Sequence, residues 1–122
     1  MGIVQEQHWE IVNMPGPMAM PVPDGGVAAG EKYELQMSRG NEKAVAQLVV
    51  PFDARICLDN EIKKLNEDLQ FAAKLTIYPR AIRAYVSRKL AMGWSPVSQP
   101  DLTFDSKSMQ GILDQFKTDG VF

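Results

Sequence analysis

Cysteine and histidine are almost missing from this chain: Cys57 and His8 stand alone among 122 residues. A single thiol allows no internal disulfide and favours a reducing compartment; in "ARICLDN" it reads as a packed, unreactive group. One histidine and one cysteine do not make a structural zinc site, so no metal is expected. A Ser-His or Cys-His nucleophile pair would have to use His8, which falls in an expected strand and reads as a surface or packed residue. The glycines of "DGGVAAGEK" (24–32) end in Gly30-Glu31-Lys32. A phosphate-binding loop instead ends in Gly-Lys-Ser/Thr and opens a helix, so this segment reads as a turn and no cofactor is expected.

Long apolar runs are lacking as well, which excludes a membrane-spanning helix from the expectation. The first ten residues, "MGIVQEQHWE", lack the basic and apolar regions of a secretory signal. The expected location is therefore cytoplasmic, free or within a particle assembled there, with no membrane association. Excess charge of one sign is also absent: 13 basic against 15 acidic residues leave a net charge of −2, so the molecule as a whole is not a polyanion binder.

What is present is an ordinary globular composition, 45% hydrophobic and 23% charged, at a length that suits one domain with an unaided core. The feature that departs from the ordinary is "MPGPMAMPVPDGG", residues 14–26, which holds four of the 8 prolines and three of the 7 methionines. The prolines bias it to an extended, polyproline-like conformation that spans on the order of 40 Å at about 3 Å per residue. Its methionines offer adaptable apolar contact. A loop of this length in a small domain is unusual unless it has a use, so it reads as an arm that lies on another subunit or a partner, against the alternative of a loop packed on its own domain.

Periodicity supplies the rest. Residues 5–13 read as a first strand with Trp9 and Ile11 on one face. "EKYELQMSR" (31–39) alternates apolar and polar, "GNEK" (40–43) reads as a hairpin loop, and "AVAQLVVPF" (44–52) as the return strand. Asp53 reads as the N-cap of a helix with a Phe52–Cys57 staple, against a start near Asp59 with "ARICL" extended; Leu58, Ile62, Leu65, Leu69 and Ala72 then form one stripe to about residue 74. The heptad-like spacing of that stripe leaves helix pairing between chains as an alternative to packing on the sheet. "TIYP" is expected to break the helix at Tyr78, with a second helix over 79–92 closed by Gly93. Residues 94–104 read as a loop, with room for a short strand at 102–104. Asp105 caps a last helix, with Phe104 and Met109 as its staple and Met109, Ile112, Leu113 and Phe116 as its buried face. The expected fold is α+β: a small antiparallel sheet, the N-terminal strand plus the 31–50 hairpin, packed against two or three C-terminal helices.

Charge is unevenly spread. Residues 70–100 carry Lys74, Arg80, Arg83, Arg88 and Lys89 and no acidic residue, a local +5 that leaves −7 for the remainder. The acidic residues Asp59, Glu61, Glu67 and Asp68 are interleaved with Lys63 and Lys64, as on a solvated helix face, and single out no acid/base pair. The expected function is therefore a non-enzymatic interaction protein. It would be a subunit of a multi-chain assembly such as a virion or secretion complex, homo-oligomeric assembly included, or a small protein docking on a larger partner. Its expected contacts are Met14, Pro17, Met18, Met20, Pro21 and Val22 on the arm, and Arg80, Arg83 and Arg88 on the basic helix. The competing expectation is nucleic-acid binding through Arg80, Arg83, Arg88 and Lys89, with Tyr78 and Trp94 as stacking rings. The third, an enzyme, lacks a recognisable catalytic constellation.

Overall fold

The computed structural model describes residues 8–15, 18–20, 30–65 and 67–121. Alternation decides the centre of the fold. In β3 (Gly30–Arg39), Tyr33, Leu35 and Met37 are buried and their neighbours are not. In β4 (Glu42–Pro51), Ala46, Leu48 and Val50 are buried. The two strands pair antiparallel with Tyr33 opposite Leu48 and Leu35 opposite Ala46, so one face of the hairpin is apolar. The loop is shorter than the sequence suggests: Gly40, at φ 59°, and Asn41 make the whole turn, and β4 starts at Glu42, which pairs with Arg39 across it.

Two short strands lie end to end along the far side of β3. β1 (Glu10–Asn13) pairs antiparallel with Gln36–Ser38, and β2 (Met18–Met20) pairs antiparallel with Gly30–Lys32. Between them the Glu34 amide donates to the Pro15 carbonyl at 3.1 Å. The partner of residue 10 is 38 and that of residue 18 is 32, so the register slips by two residues over this stretch. Pro15 cannot donate to a ladder, and proline is tolerated at an edge. The described part of the expected arm is thus backbone-paired to its own sheet, and Met14 is half-buried against the core.

β5 (Asp101–Thr103) adds to β4 in parallel, with Leu102 beside Leu48. The described sheet has five strands, in the order β1-β3-β4-β5 with β2 also on β3, and is mixed rather than purely antiparallel. Parallel pairing requires a long crossover, and the two helices between β4 and β5 supply it. The α+β fold is as expected.

α1 (Phe52–Lys63) buries Ala54, Leu58 and Ile62. Its entry differs from expectation. Pro51 occupies the N-cap without a side-chain cap, Asp53 accepts from the Ala54 amide, and Phe52 is 56% exposed, so the Phe52–Cys57 staple does not form. The stripe also divides. α1 ends at Lys63, where the Lys64 and Leu65 amides close the last turn on Glu61 and Ile62. α2 (Glu67–Ala91) begins in a new phase: it buries Ala73, Ile77, Tyr78, Ala81, Ile82, Tyr85 and Val86, and leaves Leu69 53% exposed. Among the described residues no single apolar seam runs through both helices.

α2 then runs unbroken through Pro79. The expected break at "TIYP" does not occur, because burial of Ile77 and Tyr78 before the proline and of Ala81 and Ile82 after it outweighs one lost backbone hydrogen bond. The helix closes as expected: Gly93 adopts φ 95°, its amide reaches Leu90, and the Trp94 amide reaches Lys89 at 2.9 Å. α3 (Ser106–Thr118) also follows expectation. Asp105 caps it by accepting from the Ser108 amide at 2.8 Å, and Phe104, Met109, Ile112 and Leu113 are all but fully buried. The helices cover the apolar face of the hairpin. The other face carries Lys32, Glu34, Gln36, Ser38, Lys43, Val45, Gln47 and Val49.

Candidate docking site

The C-terminal half of α2 is anchored by Tyr85. Its ring stacks on Phe104 (centroids 4.3 Å apart, 8° between planes) and its hydroxyl donates to the Thr103 carbonyl at 2.8 Å. Burial, with Asp105 as a lesser cause, pushes the Tyr85 phenol above its usual range, so it stays a donor at neutral pH. This contact ties α2 to β5 and to the start of α3, and it sets the walls of a groove. One part, of about 300 Å³, lies between α2 and α3 and is lined by Arg88, Lys89, Met92, Lys107, Gly111 and Ile112. A second part, of about 430 Å³, shares Tyr85, Lys89 and Met92 and extends to Asp101 and Thr103 on β5.

The groove joins an apolar floor to a cationic rim. Met92 is 78% exposed at its mouth. Among the described residues, Arg88, Lys89 and Lys107 form no ion pair. The Lys89 ammonium lies 5.7 Å from the Tyr85 ring centroid, so its stem runs along the apolar wall. Asp105 stands close enough to feel both lysines. Its carboxyl is held below the usual range first by the Ser108 hydrogen bonds and then by Lys89 and Lys107. Gly111, inside α3, leaves the wall open: a Cβ there would lie 3.6 Å from the Arg88 Nη1, in ordinary contact. A glycine inside a helix costs about 1 kcal/mol against alanine, so its place facing this groove is a signal the sequence carried and periodicity passed over.

The predicted arginine face is divided by the tertiary structure. All three arginines are exposed. Arg88 lines the α2–α3 groove, and the Arg80 guanidinium leans toward α3, 5.7 Å from the Phe116 ring. Arg83 points to the other flank, into a cleft with Trp9, Glu10 and Ile11. Lys107 joins Arg88 and Lys89 from α3, a juxtaposition that sequence reasoning missed because 18 residues separate Lys89 from Lys107. The expected stacking rings are not available: Trp94 is 8% exposed with its indole N–H bonded to the Gln99 carbonyl at 2.7 Å, and Tyr78 is 7% exposed. On the arm, Met18 and Met20 are placed by their backbone on β2, while Pro17, Pro21 and Val22 lie outside the described residues.

A second polar cluster lies at the other end of the helical layer. Glu31 on β3 accepts from the Tyr33 and Tyr78 hydroxyls at 3.0 Å each and pairs with Arg55, which also reaches Asp59 at 3.3 Å and covers the Tyr78 ring at 4.5 Å. Each of these groups is spent on another, so the cluster fastens α1 and α2 to β3 and presents no free donor set. His8 lies beside Trp9 and Arg39, whereas Cys57 sits half-buried on α1. Among the described residues no group of three or more His, Cys, Asp or Glu side chains is placed to hold a metal, and no helix is long and apolar enough to cross a membrane. No family model, curated protein or solved structure matches the chain.

Proposed function

We propose that this chain is a non-enzymatic docking protein whose α2–α3 groove receives an acidic, amphipathic segment of a larger cytoplasmic protein. The observation that carries this reading is the set of three cations, Arg88, Lys89 and Lys107, without an ion pair among the described residues, around an apolar floor with Met92 at its mouth. Apolar contact in such a groove supplies affinity, methionine adapts to the incoming surface, and the rim charges supply orientation and association rate. A nucleic-acid ligand is the weaker reading, because Tyr78, Tyr85 and Trp94, on and beside the basic helix, are buried and the described outer face of the sheet carries no aromatic side chain on which a base would stack.

The test is a displayed-peptide selection on the intact chain and on an Arg88→Glu/Lys107→Glu variant, with a mixed single-stranded oligonucleotide titrated in parallel at low and physiological salt. The expected result is enrichment of acidic sequences with spaced apolar residues on the wild type alone, with oligonucleotide binding weak at physiological salt. Enrichment that is absent, or indifferent to the two substitutions, overturns the reading. Oligonucleotide binding that persists at physiological salt and vanishes in the variant replaces it with the nucleic-acid reading.

A further inference from the structure

The two helices that wall the groove run in opposite directions. Arg80 on α2 reaches the Phe116 ring of α3 at 5.7 Å, and farther along α2 Arg88 lies beside Gly111. On α2 the lining residues are Tyr85, Arg88, Lys89 and Met92, spaced i, i+3, i+4 and i+7. Those positions share one face of a helix and cover about 10 Å of its axis. On α3 the lining residues Lys107, Ser108, Gly111 and Ile112 cover about 8 Å of the opposite wall. The groove is thus a trough between two helical ridges, the shape into which a third helix packs.

Backbone chemistry separates a helical occupant from an extended one. A helix satisfies its own amides and carbonyls, whereas an extended segment gains affinity by pairing with a strand edge. The α2–α3 part of the groove offers no strand: both walls are helices whose backbone groups bond along their own length. In the second part, beside β5, the Thr103 carbonyl already accepts from the Tyr85 hydroxyl at 2.8 Å. The anchors of a docked helix, from i to i+7, span about 10 Å, which matches the α2 wall.

Charge and space set the occupant's sequence. Arg88 and Lys89 stand on one wall and Lys107 on the other, none with an ion pair among the described residues. Cations on both walls call for acidic residues on both flanks of the occupant's apolar stripe. Gly111 has no side chain, and a Cβ there would meet only the flexible end of Arg88, at 3.6 Å. A docked helix therefore approaches α3 most closely at this residue, and a longer side chain would take the volume its apolar residues fill.

We infer that the α2–α3 groove takes an acidic amphipathic α-helix, laid between α2 and α3 as a third helix, and that Gly111 is the residue that admits it. The inference rests on the docking reading of this groove and adds the occupant's conformation and a specificity-determining residue.

The experiment is fluorescence anisotropy of labelled peptides with the intact chain, with circular dichroism as a check on folding. The first probe is a peptide of about 14 residues, four helical turns, built from leucine, glutamate and alanine with leucine at i, i+3, i+4 and i+7. The second has the same composition with leucine at alternate positions, and the third is the first with proline at its centre. Binding of the first is expected, with a gain of helical signal in the mixture, and about tenfold or more weaker binding of the other two. Gly111→Leu should weaken binding of the first about tenfold or more with no fall in the thermal midpoint. Gly111→Ala, which adds one methyl, should raise the midpoint and weaken binding less. A second or third peptide that binds as tightly as the first, with both lost in Arg88→Glu/Lys107→Glu, overturns the helical occupant and leaves the docking reading in place. A Gly111→Leu chain that folds and binds like the wild type overturns the role of Gly111. Failure of all three peptides to bind overturns both readings. So does a second copy of the chain in the groove, seen in light scattering as a dimer that Arg88→Glu/Lys107→Glu dissolves.

Discussion

The Tyr78 hydroxyl on α2 donates to Glu31 on β3 at 3.0 Å, joining residues 47 apart in the chain. The same carboxylate also accepts from Tyr33 and pairs with Arg55, so one side chain joins β3 to α1 and α2. Glu31 is 27% exposed, which places its contribution between that of a surface ion pair and a buried one. Glu31→Ala should lower stability by about 2 kcal/mol, because it strips the acceptor from two largely buried hydroxyls as well as the partner of Arg55. Tyr78→Phe should cost about 1 kcal/mol. Urea unfolding followed by circular dichroism measures both, and equal losses for the two variants would contradict the shared-acceptor arrangement.

The same cluster sets an alkaline limit. Burial pushes the Tyr78 phenol from its ordinary value of 10.0 up to about 12, and pushes Tyr33 up further still. Above the ordinary value the unfolded chain releases phenolic protons that the folded chain retains. This part of the stability is therefore complete below about pH 10 and is lost as pH rises toward 12 and beyond. Unfolding midpoints taken from pH 8 upward should stay level and then fall, with tyrosinate absorbance from the buried rings appearing only as the fold is lost. Tyrosinate that titrates fully at the ordinary value in the folded protein would contradict this.

Pro79 sits inside α2 and has no N–H to give to the carbonyl four residues earlier. Pro79→Ala restores that bond and removes the ring clash, while freeing the unfolded chain costs less than about 1 kcal/mol. The net expectation is stabilisation by about 1 kcal/mol, read as a rise in the thermal midpoint. A fall would mean that the Tyr78–Glu31 reach depends on the proline's local geometry.

Gly30 starts β3 where β2 and β4 both pair with it. A Cβ at this position would stand 2.5 Å from the Val50 carbonyl oxygen and 3.0 Å from the Pro51 Cα, both backbone atoms of the neighbouring strand. Gly30→Ala should cost about 2 kcal/mol or more by forcing the strands apart, against a few tenths for Gly120→Asn at the open C-terminus of α3. Thermal midpoints of the two variants separate these cases.

Some of this was legible from neighbouring residues alone. The alternation of Tyr33, Leu35 and Met37, the Asp105 cap and the Met109–Phe116 stripe are local patterns, and each element formed where its pattern stood. Others failed for a common reason. Leu65 and Leu69 continue the stripe of Leu58 and Ile62 on paper, yet the chain turns between them because Glu61 and Ile62 close one helix and Ala73 and Ile77 align another. Tyr78-Pro79 should end a helix, yet burial on both sides carries it through. Residues 14–26 read as an arm on a neighbour or a loop on their own domain, and the described part, 14–15 and 18–20, lies along β3 by its backbone.

The amino-acid sequence by itself determined which residues are apolar, which strands pair as a hairpin, where the last helix begins and where positive charge collects. Those properties follow from periodicity of 2 or 3.6 residues and from side chains bonding to backbone a few positions away. Only the tertiary structure decided that Arg88 and Lys107 line one groove while Arg83 lines a cleft beside β1, that Trp94 is closed to stacking, and that β5 joins in parallel. Each of these depends on elements far apart in the chain, and the burial they share outweighs any preference a short window can express.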